Sequence, residues 1–127
     1  MPEGFGLTKH ARLLTSAEFS QVLNAKPGLV WRHQDPLFRV LSAPSDHPRL
    51  GLAIAKRLMQ RAVDRNRVKR LVRESFRLHQ SRLPSRDYVV FARQDMRFYP
   101  SKQIRYSLDE LMQAIIERSE HSQQTSR

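Results

Sequence analysis

Cysteine is absent from the 127 residues, which excludes disulfides, thiolate metal sites and cysteine nucleophiles and permits a reducing compartment. Glycine is scarce at four, and no P-loop, dinucleotide fingerprint or G-x-S-x-G elbow occurs. No apolar run is long enough to cross a bilayer, and the opening MPEGFGLTKHARLL lacks the apolar stretch of a signal peptide. These features predict a cytoplasmic protein that does not use a membrane. The five histidines, His10, His33, His47, His79 and His121, are scattered with no i,i+4 pair, so no metal-binding motif is identifiable and any metal site stays unknown. Acids are also few, and the one adjacent pair, Asp109 and Glu110, is expected in the first turn of the last helix, where negative charge favours the helix dipole. No catalytic constellation emerges: if catalysis is involved, the reacting groups come from elsewhere.

What the chain has in excess is positive charge. Twenty-three basic residues face 12 acids, for a formal net charge of +11 and a pI near 11.2. That is more than solubility requires and enough to concentrate a polyanion around the protein. Eighteen of the basic residues are Arg and five are Lys. A guanidinium grips phosphate with two parallel hydrogen bonds and stacks on bases, whereas an ammonium is a hydrated point charge. Nucleic acid is the leading partner class.

The length suits one domain with a modest core, spanning 1–127 with a frayed N-terminus (about 1–7) and a frayed tail (about 117–127) that contains no apolar residue past Ile116. In TSAEFSQVL, Thr15 and Glu18 have capping-box spacing and Phe19, Val22 and Leu23 share a helical face. Segments 36–43, 49–56 and 87–93 read as strands, the first two separated by PSDHP. Alternation along the second sorts its residues by size: Leu50, Leu52 and Ile54 point one way, and Gly51, Ala53, Ala55 and Arg57 the other. One face is expected to be core and the other the floor of a shallow groove. A long helix is expected from about Gln60 to Gln80, and a last one over IRYSLDELMQAII. The result is an α/β (α+β) two-layer sandwich, ordered α-β-β-(β)-α-β-α around a small central sheet, with the third strand optional.

The long helix holds the most charged segment, RNRVKRLVRESFR (65–77). At about 100° per residue, Val68, Leu71, Val72 and Phe76 fall within about 140°, while Asn66, Lys69, Arg70, Arg73 and Arg77 gather opposite them. A face built for solubility alone usually mixes signs and gains i,i+4 pairs; here Glu74 is the lone acid. A solvated face and a phosphate-binding surface are both open, and the sign of the charge favours the second. Arg65 is the exception. It projects beside Val72 and Phe76, and it either caps the groove on the side of Arg57 or precedes the true start of the helix.

The run RAVDRNRVKRLVRESFR resembles the signature helix of the protein subunit of bacterial ribonuclease P. ARLLTSAEFSQVL, RLGLAIAKR and LPSRDYVVFAR are similar to the family's first helix, the strand feeding the motif and the strand after it. The resemblance covers about residues 7–116. It implies a left-handed βαβ crossover, against the usual right-handed rule, and a holoenzyme in which a large RNA with bound Mg²⁺ removes the 5′ leader of precursor tRNA. The expected partners are then the catalytic ribonuclease P RNA and precursor tRNA, with no protein partner identifiable. Carried over residue by residue, Lys56, Arg57, Arg61, Arg65, Asn66, Arg67, Lys69, Arg70 and Arg73 contact the catalytic RNA, chiefly through its backbone. Phe19, Arg39, Ala53, Ala55 and Arg57 belong to a cleft for the single-stranded leader, although Phe19 is equally compatible with plain core burial. Leu23 and Leu41 stand where many relatives carry aromatics, so stacking in the cleft is expected to be weaker here. The competing readings are a basic RNA- or DNA-binding module without enzyme context, such as a ribosomal protein, and, least favoured, a protein nuclease.

Overall fold

The computed structural model describes residues 15–125; the segment expected to fray at 1–7, His10 and the start of the first matching stretch lie outside them. Helix α1, Ser16–Leu23, begins where the capping box places it. The Thr15 backbone N–H donates to Glu18 Oε1 (2.8 Å), and the Glu18 N–H donates back to Thr15 Oγ1 (3.2 Å), so two otherwise orphaned donors are satisfied. Strands β1 (Trp31–Gln34), β2 (Phe38–Pro44) and β3 (Arg49–Ala53) follow, then α2 (Ala62–His79), β4 (Arg86–Ala92) and α3 (Ser101–Thr125).

The four strands form one mixed sheet in the order β1-β2-β4-β3. β1 and β2 make an antiparallel hairpin, β2 pairs antiparallel with β4, and β3 pairs parallel with β4 through the α2 crossover. Asp35 shapes the hairpin turn: its Oδ1 accepts from the N–H groups of Leu37 and Phe38 (both 2.9 Å), and its other oxygen accepts from the Ser107 hydroxyl of α3. β1 lies outside the segments read as strands and ahead of them, where the optional strand of the expected order stood third; it is short and has no alternating apolar residues.

Successive strand residues face opposite sides, so the sheet has two different surfaces. Phe38, Val40, Leu50, Tyr88 and Val90 join Val68, Leu71, Val72 and Phe76 of α2 and Ile104, Leu108, Met112 and Ile115 of α3 in the main core. Each such buried side chain contributes roughly 1.5–3 kcal/mol relative to exposure. On the other surface, Val22 of α1 packs on Ala43 and Val89, with Phe19, Leu41, Ala53 and Phe91 half-buried around them. The short α1 covers this surface only in part.

Three expectations change. β3 stops at Ala53, so Ala55 and Arg57 leave the strand alternation and lie in the turns before α2, where the Ala55 carbonyl accepts from the N–H groups of Leu58 and Met59. The last helix starts at Ser101, so Asp109 and Glu110 sit two turns inside it; Asp109 instead accepts a hydrogen bond from the buried Ser75 hydroxyl of α2 (3.0 Å). Finally, α3 continues to Thr125, through most of the tail expected to fray.

Candidate nucleic-acid interface

The apolar stripe of α2 is fully buried, which forces its opposite side outward. Asn66 and Arg70 are exposed there and Lys69, Arg73 and Arg77 are half-buried. Among the described residues no ion pair engages Lys69, Arg70, Arg73 or Arg77. Glu74 is drawn sideways to Arg105 of α3, Oε1 to Nε 3.1 Å, so the acid that could have neutralised the stripe is occupied. A shallow cavity of about 240 Å³ opens between Arg70, Arg73, Glu74 and Arg77.

Arg65 and Arg67 are used differently. Arg65 Nη1 donates to the carbonyls of Met59 (2.9 Å) and Gln60 (2.8 Å), tying the preceding turns to the first turn of α2. This resolves the open position of Arg65 on geometry: it closes the loop before the helix. Arg67 Nη1 donates to Ser101 Oγ (3.1 Å) and its Nη2 to the Met96 carbonyl (2.9 Å), linking α2 to the start of α3. Lys56, Arg57 and Arg61 are exposed in and beside the turns leading into the helix. Arg57 and Arg61 line a cavity of about 440 Å³ with Asp64, Asp95 and Arg97.

On the other side of the sheet lies a groove floor. Arg39, Phe91 and Ala53 stand in register across β2, β4 and β3, as do Leu41, Val89 and Gly51 one step along. Neighbouring strands lie about 4.8 Å apart, so each row is a strip about 10 Å wide, and the Arg39 guanidinium stands at the edge of the first. Arg39 Nε donates to Gln34 Oε1 (3.3 Å). Phe19 meets Phe91 edge to face, with ring centroids 6.3 Å apart and planes at 78°. Phe19 is therefore neither free nor fully buried: one edge packs on the sheet and the rest borders the groove.

One end of the groove is shut by charge. Arg49 of β3 grips Asp87 of β4 through Nε–Oδ1 (2.7 Å) and Nη2–Oδ2 (2.8 Å), while its remaining nitrogen bonds Glu18 of α1. The Thr15 backbone N–H, followed by the bond from Arg49, holds the Glu18 carboxyl below its ordinary range, and the bond to Asp87 raises the Arg49 guanidinium. The clamp fixes α1 on the sheet. Neither it nor Phe91 was singled out from the sequence. Alternation within DYVVFAR does place Phe91 and Val89 on the side opposite Val90; which helix would face that side was the missing fact.

A family model described as Ribonuclease P matches residues 7–116. The chain belongs to the ribonuclease P family. The ribonuclease P protein component of Methylococcus capsulatus is 46% identical over 93 residues, covering 72% of this chain and 70% of that protein. That of Pasteurella multocida is 38% identical over 117 residues, 91% and 95% of the two chains. The solved RNase P protein of Staphylococcus aureus superposes with a TM-score of 0.71 at 30% identity, over 82% of this chain and 94% of that one. The protein from Thermotoga maritima gives 0.68 at 27%, over 82% and 96%. The mixed four-stranded sheet with three helices is thus that of the ribonuclease P proteins.

Set against that family, the expected site residues divide into two places. Asn66, Lys69, Arg70 and Arg73 share the outward side of α2, flanked at its N-terminus by Lys56, Arg57 and Arg61; Phe19, Arg39 and Ala53 meet in the groove on the opposite surface of the sheet. Arg57 was expected to serve both and lines the α2-side cavity instead. No group of three or more His, Asp or Glu side chains suited to a metal comes together among the described residues. No helix among them is long and apolar enough to cross a membrane.

Proposed function

We propose that the chain, as the protein subunit of ribonuclease P in tRNA processing, docks α2 on the catalytic RNA and receives the 5′ leader of precursor tRNA in the groove between α1 and the sheet. The observation that carries this is the outward side of α2, where four cations lie within four turns without an ion-pair partner among the described residues. Phosphate contacts position a protein on structured RNA without reading its sequence, which suits Arg70 and Arg73 with Lys69 beside them. Asn66 supplies a neutral donor at the same face. Lys56, Arg57 and Arg61 extend it toward the turns before the helix, and Arg65 and Arg67 support it by holding those turns and the start of α3.

In the groove, the small, half-open Ala53 lets a strand of nucleotides approach closely, Phe19 and Phe91 offer ring edges, and Arg39 takes a phosphate. Leu41, where many relatives carry an aromatic, leaves the stacking to that pair. Hydrolysis belongs to Mg²⁺ held by the RNA; this chain's residues bind and orient. The cytoplasm, where a cysteine-free RNA-binding protein meets precursor tRNA, is the compartment we assign.

Reconstitution tests the reading. The protein is expected to restore precursor-tRNA cleavage by a ribonuclease P RNA at low Mg²⁺, where the RNA alone is slow. Equal rates with and without the protein would refute it, and cleavage by the protein without RNA would transfer the chemistry to this chain.

A further inference from the structure

The segment joining β4 to α3, residues 93–100, is pinned at many points. The Tyr99 N–H donates to the Met96 carbonyl (3.0 Å), the Arg97 N–H to Asp95 Oδ1 (2.9 Å) and the Tyr99 hydroxyl to Gln94 Oε1 (2.9 Å). Met96 is fully buried, and Arg67 of α2 holds its carbonyl from the other side. From this fixed backbone Phe98 projects with 83% of its surface exposed, the most exposed large apolar side chain among the described residues.

Single exposed apolar residues are common and mean little alone. Phe98 differs in its company. The Arg97 guanidinium sits over its ring at 4.7 Å from the centroid, and Arg97 also lines the cavity of about 440 Å³ with Arg57 and Arg61. The two acids at that cavity are each paired, Asp95 with Arg97 (3.3 Å) and Asp64 with Arg61 (3.9 Å), which leaves Arg57 without an ion-pair partner among the described residues. Between residues 96 and 108 the chain carries Arg97, Lys102 and Arg105 and no acid. A held aromatic with one open face, flanked by guanidinium groups, is the arrangement that takes a nucleobase.

We propose that Phe98 with Arg97 forms a stacking site for one unpaired base of an RNA strand, with Arg57 and Arg61 meeting the flanking phosphates. The site rests on the reading of α2 as an RNA-docking surface and extends that surface past Arg67 toward α3. It is separate from the groove, which lies on the opposite face of the sheet. Its ligand is a single-stranded or bulged nucleotide, since a base inside a duplex has no free face to offer.

The test uses the full chain with Phe98→Trp, whose emission, after subtraction of the Trp31 signal of the unsubstituted protein, reports the site itself. Titration with single-stranded octaadenylate is expected to quench the indole at position 98, and titration with heparin, an equally anionic chain without bases, is not. Phe98→Ala is expected to weaken octaadenylate binding about tenfold, Phe98→Leu to leave it as weak as Phe98→Ala, and Phe98→Trp to restore it. Absence of quenching, equal quenching by heparin, or full affinity in Phe98→Leu each overturns the proposal. So does a change in sedimentation on Phe98→Ala with RNA affinity unchanged, which would make this a protein contact. Arg70→Ala separates the two readings. If it leaves the salt dependence of RNA binding unaltered while the indole is quenched, the docking role of α2 fails and the stacking site stands; the converse result sinks the stacking site alone.

Discussion

Arg67→Ala and Arg70→Ala remove the same charge from the same helix three residues apart, and the structure expects them to do different things. Arg67 makes two good hydrogen bonds across to the start of α3, at 2.9 and 3.1 Å. A hydrogen bond from a charged donor contributes about 1.5–3 kcal/mol when buried, and the half-buried position of Arg67 halves this, because water can replace part of what is lost. The expected destabilisation is about 2 kcal/mol, which for a domain of this size lowers Tm by roughly 8 °C. Arg70 is exposed and touches no acid among the described residues, so its removal leaves stability within about 0.5 kcal/mol. It is expected instead to weaken binding to ribonuclease P RNA and to reduce the slope of log affinity against log salt by about one lost phosphate contact. Urea denaturation, with the midpoint read at constant m, and RNA titration over a range of salt measure both quantities. Arg67→Ala with an unchanged midpoint and the same loss of salt slope as Arg70→Ala would refute this division of labour.

Three further outcomes follow from the groove and the sheet. Arg49→Met strips the nearly buried Asp87 carboxylate of its two-point partner and is expected to cost about 3 kcal/mol in urea denaturation; a loss under about 1 kcal/mol would show that α1 does not depend on the clamp. Phe91→Ala removes the ring that Phe19 packs against and is expected to weaken binding of leader-bearing precursor tRNA several-fold while sparing leaderless tRNA, so equal loss for both substrates would count against the groove as the leader site. His33 lies edge-on to Trp31, and burial, aided by Arg118 and Arg86, lowers its pKa from 6.5 to about 4. Between those values the unfolded chain binds the proton and the folded one does not, so stability is expected to fall as pH drops from about 6.5 to 4 by about 1–2 kcal/mol after allowance for solvent exposure. His33→Gln should flatten that part of the stability curve, and an unaltered curve would assign the acid sensitivity to other groups.

Much of this was legible along the chain. The Thr15–Glu18 capping box, the buried stripe of Val68, Leu71, Val72 and Phe76, and the strand that holds Tyr88 and Val90 all follow from local spacing, since helix and strand periodicity decide which side chains share a face. The reading failed where an element ended. Nothing in the alternation of Leu52, Ala53, Ile54 and Ala55 marks the end of β3 at Ala53, because the limit comes from its partner: pairing with β4 runs only as far as Phe91. Asp109 and Glu110 were misplaced for the same kind of reason, since residues 101–103 lack the apolar periodicity that announces a helix, and the turn there is held by Arg67 from another element.

The sequence by itself determined that the protein attracts polyanions, that α2 has one apolar and one cationic side, and that no cysteine or glycine-rich chemistry is available. Those are properties of composition and of neighbours a few residues apart. Only the tertiary structure decided which of the cations are held by the fold itself. The family resemblance groups Arg65 and Arg67 with Arg70 and Arg73, yet their guanidinium groups are taken up by carbonyls of the preceding turns and of the 96–101 segment, while Glu74 is drawn off by Arg105 from α3. A guanidinium spends its donors on whatever acceptors the fold brings within reach, and those acceptors come from segments up to 34 residues away in the chain.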